Sequence, residues 1–144
     1  MSKKQIQFGV EMNVSAIVFG SDQRLSVSDV ELTPPSEEDV VVDVRWSGIS
    51  TGTEKLLWTG QMPPFPGLGY PLVPGYEAVG TIAEAPKESG YRPGELVFAP
   101  GAQCFKDVRG LFGGASSRLV TNPDRIMALD SSLGEQGVLL ALAA

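Results

Sequence analysis

The chain has 144 residues, 42% apolar and 19% charged, with a formal charge of −6 and no histidine. A chain of this size buries about 70% of its unfolded surface and needs neither disulfide nor metal to hold a core. The acidity argues against nucleic acid, whose phosphates require a basic surface. No stretch approaches the ~20 apolar residues of a membrane helix, and the single cysteine, Cys104, suits a reducing, cytoplasmic compartment.

Residues 1–13, MSKKQIQFGVEMN, lack the apolar centre of a signal peptide and read as an N-terminal extension with little order of its own. Val14 to Phe19 is a short apolar strand ended by the turn Gly20-Ser21-Asp22. Leu25 to Leu32 predicts a second strand, stopped by Pro34-Pro35, and Val40 to Trp46, rich in β-branched residues, a third. Thr51-x-x-Glu54 has the form of a capping box and opens a helical turn through Leu56, Leu57 and Trp58, with Gly60 as its stop.

From Met62 to Pro74 five prolines and two glycines forbid regular structure. Strands are predicted at Glu77 to Ala85 and Glu95 to Ala99, with Tyr91 to Gly94 as the turn between them. Ser117 to Thr121 predicts a further strand, and Arg125 to Leu129 a short strand or extended segment. Ser132-x-x-Glu135 has the form of a second capping box, opening a helix through Leu142. Many short strands separated by turns indicate a mainly β domain, barrel or sandwich, with a few short helices. The apolar final helix suggests that the natural sequence continues past Ala144.

Hydroxyls and carboxylates gather in two segments, Gly48-Ile49-Ser50-Thr51-Gly52-Thr53-Glu54 and Pro74-Gly75-Tyr76-Glu77-Ala78-Val79-Gly80. Together with the turn Tyr91-Arg92-Pro93-Gly94-Glu95-Leu96-Val97, they resemble the GroES-like barrel that begins medium-chain dehydrogenases/reductases. The resemblance covers residues 14–144, nearly the whole chain. It implies a catalytic domain whose nucleotide-binding Rossmann partner is absent from these residues. Gly67-Leu68-Gly69 is not the nucleotide-binding turn, because no helix follows it.

In zinc-dependent members, Cys and His stand where this chain has Ser50 and Tyr76. Serine and tyrosine oxygens stay protonated at neutral pH and are poor zinc ligands. Only Cys104 lies where four cysteines would mark the structural zinc lobe. The resemblance therefore points to a zinc-independent enzyme. The longer string from Ser47 to Glu77, with its proline-rich loop, resembles the branch of the family that serves bacteriochlorophyll biosynthesis. That branch oxidises the 3-(1-hydroxyethyl) group of a bacteriochlorophyllide, a magnesium tetrapyrrole, to 3-acetyl, with NAD as hydride acceptor. The resemblance implies work in the cytoplasm or beside photosynthetic membranes, and it leaves homo-oligomerisation open. Two other readings stay open: a zinc-independent quinone or enone reductase, and a noncatalytic GroES-like scaffold.

By its place in the motif, Ser50 is expected beside the reacting carbon and the nicotinamide, with Thr51 and Thr53 near it. The alternative for these hydroxyls is helix capping, which suits Thr51 best. Tyr76 is either a proton-transfer group or a packed tyrosine. A phenol with a pKa near 10 needs a cation to act as a base, and Lys55 is the candidate within the motif. Glu77, among apolar neighbours, must be paired or protonated; it is either a relay member or half of a structural ion pair. Trp58, Met62, Phe65 and Tyr70 form either an apolar wall for a flat macrocycle or part of the core.

Overall fold

The computed structural model describes residues 12–142. Strands β1 (Asn13–Phe19) and β2 (Leu25–Glu31) form an antiparallel hairpin in continuous register, from Asn13 opposite Glu31 to Phe19 opposite Leu25. The remaining elements are β3 (Val40–Ser47), helix α1 (Thr51–Thr59), β4 (Leu72–Val73), β5 (Ala78–Glu84), β6 (Leu96–Ala99), β7 (Arg109–Gly110), β8 (Arg118–Thr121) and β9 (Met127–Ala128). Short 3-10 helices occupy Lys87–Ser89, Pro123–Arg125 and Gly134–Leu142.

These strands make two sheets, ordered β2-β1-β4-β7 and β8-β3-β5-β6-β9. The sheets are tied where Ile17 N–H donates to Ala115 O at 2.9 Å and Ser117 N–H to Ser15 O at 2.8 Å. The alternation of β1 turns Val14, Ala16 and Val18 inward. They meet Val40, Val41 and Val42 of β3, Ile82, Val97 and Leu119 in the main core. This is the mainly β architecture expected, and no described helix is long and apolar enough to cross a membrane.

The expected N-terminal extension overlaps the fold at its end. Asn13 opens β1, and Met12 O accepts Leu32 N–H at 2.8 Å; residues 1–11 lie outside the described residues. The first capping box does not form as written. Ser50, not Thr51, is the N-cap residue, and its side chain makes no capping bond, because the hydroxyl is engaged by Tyr76. Ser132 is likewise not a cap. Its hydroxyl and N–H both donate to Asp130 Oδ1, at 2.6 and 2.9 Å, and the segment that follows is a 3-10 helix beginning at Gly134.

Candidate active site

Strands β3 and β5 bring the two polar segments together. Ser47 at the end of β3 pairs with Ala78 at the start of β5, and Gly48 N–H donates to Glu77 O at 2.9 Å. The chain then turns into α1 on one side and reaches back through Gly75 on the other. Ser50 and Tyr76, 26 residues apart, thereby become neighbours: the Tyr76 hydroxyl donates to Ser50 Oγ. Thr53 Oγ1 lies 3.5 Å from the same phenol. An edge-on ring contact with Phe112, centroids 5.6 Å apart, fixes the tyrosine ring.

Two glycines make this approach feasible. Gly75 has φ +98°, and a Cβ there would lie 2.9 Å from Ala115 N. Main chain packs on main chain where Gly114 N–H donates to Gly75 O at 2.8 Å. At Gly48 a Cβ would occupy the space of the Glu77 carboxylate, so Glu77 lies directly over bare backbone.

Glu54 completes the group. It is 8% exposed, as is Glu77. Burial raises its pKa to about 7, the charge of Glu77 adds to the rise, and a hydrogen bond from the Ser50 backbone partly offsets it. Read from sequence, Glu54 belongs to a helix cap and is passed over as a site residue. In the structure, with Ser50 as the N-cap, Glu54 lies one residue past the place of a capping glutamate, and its carboxylate is buried near that of Glu77. The signal available in sequence was Glu54 three residues before Leu57, which puts both on one helix face.

A cleft of about 700 Å³, within the usual range for small-molecule sites, opens next to this group, and of its five residues Glu54 alone lines it. The β1–β2 hairpin contributes Ile17, Phe19, Leu25 and Val27; the β3–α1 turn and α1 contribute Gly48, Ile49, Thr51, Glu54, Lys55 and Trp58; Arg45 supplies a second cation. Several of its apolar side chains face solvent, Val27 at 72% and Ile49 at 76% exposure. The hairpin's share of this cleft was not anticipated, since strand periodicity shows which side chains share a face but not what lies opposite.

The residues expected to form the site divide into three groups. Ser50, Thr53, Tyr76 and Glu77 are brought together with Glu54. Thr51, Lys55 and Trp58 line the cleft; among the described residues no hydrogen bond or ion pair joins Lys55 to Tyr76, so the cation expected for the phenol is not at its oxygen. Met62, Phe65 and Tyr70 lie elsewhere. They pack with Phe19, Leu57, Leu72 and Leu111 in a second apolar cluster under the proline-rich loop, and the Tyr70 hydroxyl donates to Leu57 O.

Residues 36–131 match the family model of the alcohol dehydrogenase GroES-like domain. The chain belongs to that family. It is thus a domain of the medium-chain dehydrogenase/reductase superfamily. It is 54% identical over 134 residues to the 2-desacetyl-2-hydroxyethyl bacteriochlorophyllide A dehydrogenase of Rhodobacter capsulatus, covering 92% of this chain and 43% of that protein. Identity is 51% over 138 residues to the protein of the same name from Cereibacter sphaeroides, with the same coverage. A solved Mycobacterium abscessus protein named a "probable oxidoreductase" superposes with a TM-score of 0.70 at 29% identity, over 89% of this chain and 39% of that one. The chain therefore spans less than half the length of the curated relatives it matches.

Against the cofactor and metal chemistry of the superfamily, this GroES-like domain offers a limited donor set. Among the described residues no cluster of three or more His, Cys, Asp or Glu could hold a metal. At the two positions in question, Ser50 and Tyr76 present hydroxyls bonded to each other, which does not suit zinc. A dinucleotide's pyrophosphate would need a glycine-rich turn leading into a helix. At Gly67-Leu68-Gly69 the Arg109 side chain instead fills the space beside Gly69.

Proposed function

We propose that this domain is the substrate-binding half of a zinc-independent, NAD-dependent dehydrogenase that oxidises the 3-(1-hydroxyethyl) group of a bacteriochlorophyllide to 3-acetyl. One observation carries the reading: the hydroxyl group of Ser50, Tyr76 and Thr53 stands beside a predominantly apolar cleft, in a chain more than half identical to a dehydrogenase of that name.

The chemistry follows from the residues. A bacteriochlorophyllide is a flat, largely apolar macrocycle with an acidic side chain. Trp58, Ile49, Ile17 and Val27 suit its faces, and Arg45 and Lys55 suit its carboxylate. NAD, bound mainly by the part of the enzyme outside these residues, supplies hydride acceptance at the carbon. Ser50 and Tyr76 accept and pass hydrogen bonds from the substrate hydroxyl, fixing its orientation and carrying its proton away. The ordering of alcohol, acceptor and hydroxyls in the cleft supplies much of the rate. Met62, Phe65 and Tyr70 support α1 from behind.

The test is incubation of the full-length protein with the 3-hydroxyethyl substrate and NAD. The expected result is one acetyl product per NADH, from protein carrying well under one zinc per chain by elemental analysis. Reduction of quinones or enones by NADPH without alcohol oxidation would transfer the chain to the reductase reading. Absence of both activities would leave a scaffold.

A further inference from the structure

We propose that Glu54 is the residue that takes up the substrate's hydroxyl proton, with Glu77 positioned to hold it ready. The proposal rests on the dehydrogenase reading above and adds the terminus that its proton path lacks.

Serine and tyrosine hydroxyls relay a proton well but store it badly, since each must lose one to gain one and neither ionises near neutral pH. The chain has no histidine and the donor set does not suit a metal. A carboxylate is the remaining base, and Glu54 is placed for it. It lines the cleft and is 8% exposed, and it stands one helical turn after Ser50, whose backbone oxygen accepts its N–H at 2.9 Å and whose hydroxyl receives Tyr76.

Its neighbours argue against a role in structure alone. The charged or titratable groups around it are Glu77 and Tyr76 from the segment entering β5, Arg45 from β3 and Lys55 from α1. Both cations line the cleft, but neither forms an ion pair with Glu54 among the described residues. A buried carboxylate kept for packing would have a cation or be replaced by an amide; here it faces a second carboxylate with equal burial. Two such groups do not ionise together cheaply, so one is biased toward holding a proton. Burial first, and the like charge of Glu77 second, raise Glu54 to about 7, which leaves it able both to accept and to release a proton at neutral pH.

The step balances. The substrate's C–H bond breaks and its electron pair leaves as hydride to the nicotinamide. The O–H bond breaks as the carbonyl forms, and the proton ends on the Glu54 carboxylate through Ser50 and Tyr76, to be lost to solvent afterwards.

The experiment measures kcat against pH for the full-length enzyme and its Glu54→Gln, Glu54→Asp and Glu77→Gln variants, with the thermal midpoint of each over the same range. Wild type should gain rate through an inflection near pH 7, as the base loses its proton. Glu54→Gln should lose that inflection and about 10²-fold or more in kcat, with KM little changed. Glu54→Asp should keep an inflection at reduced rate, and Glu77→Gln should shift the inflection downward by removing a like charge.

The thermal series reads the same group without turnover. Below about pH 4.5 folded and unfolded forms both hold the Glu54 proton. Between about 4.5 and 7 only the folded form holds it, so rising pH costs stability; above 7 the cost is constant. Glu54→Gln should therefore gain midpoint relative to wild type as pH rises from 4.5 to 7. If Glu54→Gln does not fold, Glu54→Asp decides through the position of its inflection.

A Glu54→Gln enzyme with wild-type rate and pH profile would overturn the proposal while leaving the dehydrogenase reading intact. A wild-type enzyme that oxidises no alcohol would overturn both.

Discussion

The two ends of α1 are built from opposite materials. At its amino end Ser50, Thr53, Glu54, Tyr76 and Glu77 bring hydroxyls and carboxylates into a half-buried space. At its carboxyl end Leu57, fully buried, joins Phe19, Leu72, Leu111, Met62 and Phe65 in an apolar cluster. The chain leaves through Gly60 at φ +72°, whose N–H and that of Gln61 close the helix on Leu57 O and Leu56 O. Buried polar groups cost stability unless satisfied, and buried carboxylates cost most. One helix nine residues long thus carries an expense at one end and its compensation at the other. The difference teaches where to look for function in a small β domain: at the end of a helix where burial is chemically unfavourable.

This contrast can be broken by variants that move the wrong quantity. The largest expected effect is at the amino end. Tyr76→Phe in the full-length enzyme should lower kcat by about 10²–10⁴-fold, leave KM nearly unchanged and alter the unfolding free energy by under about 1.5 kcal/mol. Ser50→Ala should show the same pattern more mildly, because water can replace one hydroxyl. Steady-state kinetics with denaturant unfolding reads both quantities; full retention of rate by Tyr76→Phe at every pH would make the tyrosine structural.

Leu57→Ala comes next and should do the reverse. Truncating a fully buried leucine costs about 2–5 kcal/mol, read as a lower denaturation midpoint, while kcat per folded molecule stays within about twofold. A rate loss rivalling that of Tyr76→Phe would mean the two ends are mechanically coupled. The smallest effect is expected for Tyr70→Phe. It removes one hydroxyl bond to Leu57 O, worth about 0.5–1.5 kcal/mol, and should leave the kinetics alone. If Tyr70→Phe instead raised KM, the proline-rich loop would belong to the substrate wall after all.

The strands were legible because their residues announce them. The Val40-Val41-Val42 run and the apolar stretch from Val14 to Phe19 identify strands whatever surrounds them. The meeting of Ser50 with Tyr76 was visible only as a motif resemblance; its cause is the pairing of Ser47 with Ala78, a contact between distant segments that no local pattern encodes. Glu54 was hidden by its own plausibility as a cap. Met62, Phe65 and Tyr70 show the opposite ambiguity. Their size suits a ligand wall and a core equally, and only their packing against Leu57 and Leu72 distinguishes the two. The short pair β4 and β7 left no trace in sequence, since two residues are too few for a period.

Gly75 has a consequence for anyone redesigning this cleft. Its carbonyl and α-carbon are hemmed in by the backbone of Gly114 and Ala115, so the tyrosine beside it stands on a post made of main chain. A post of that kind has no side chain to trim or lengthen. Specificity can be retuned through Val27, Ile49 or Trp58, which face open space, while Tyr76 serves as the fixed datum from which every new wall must be measured.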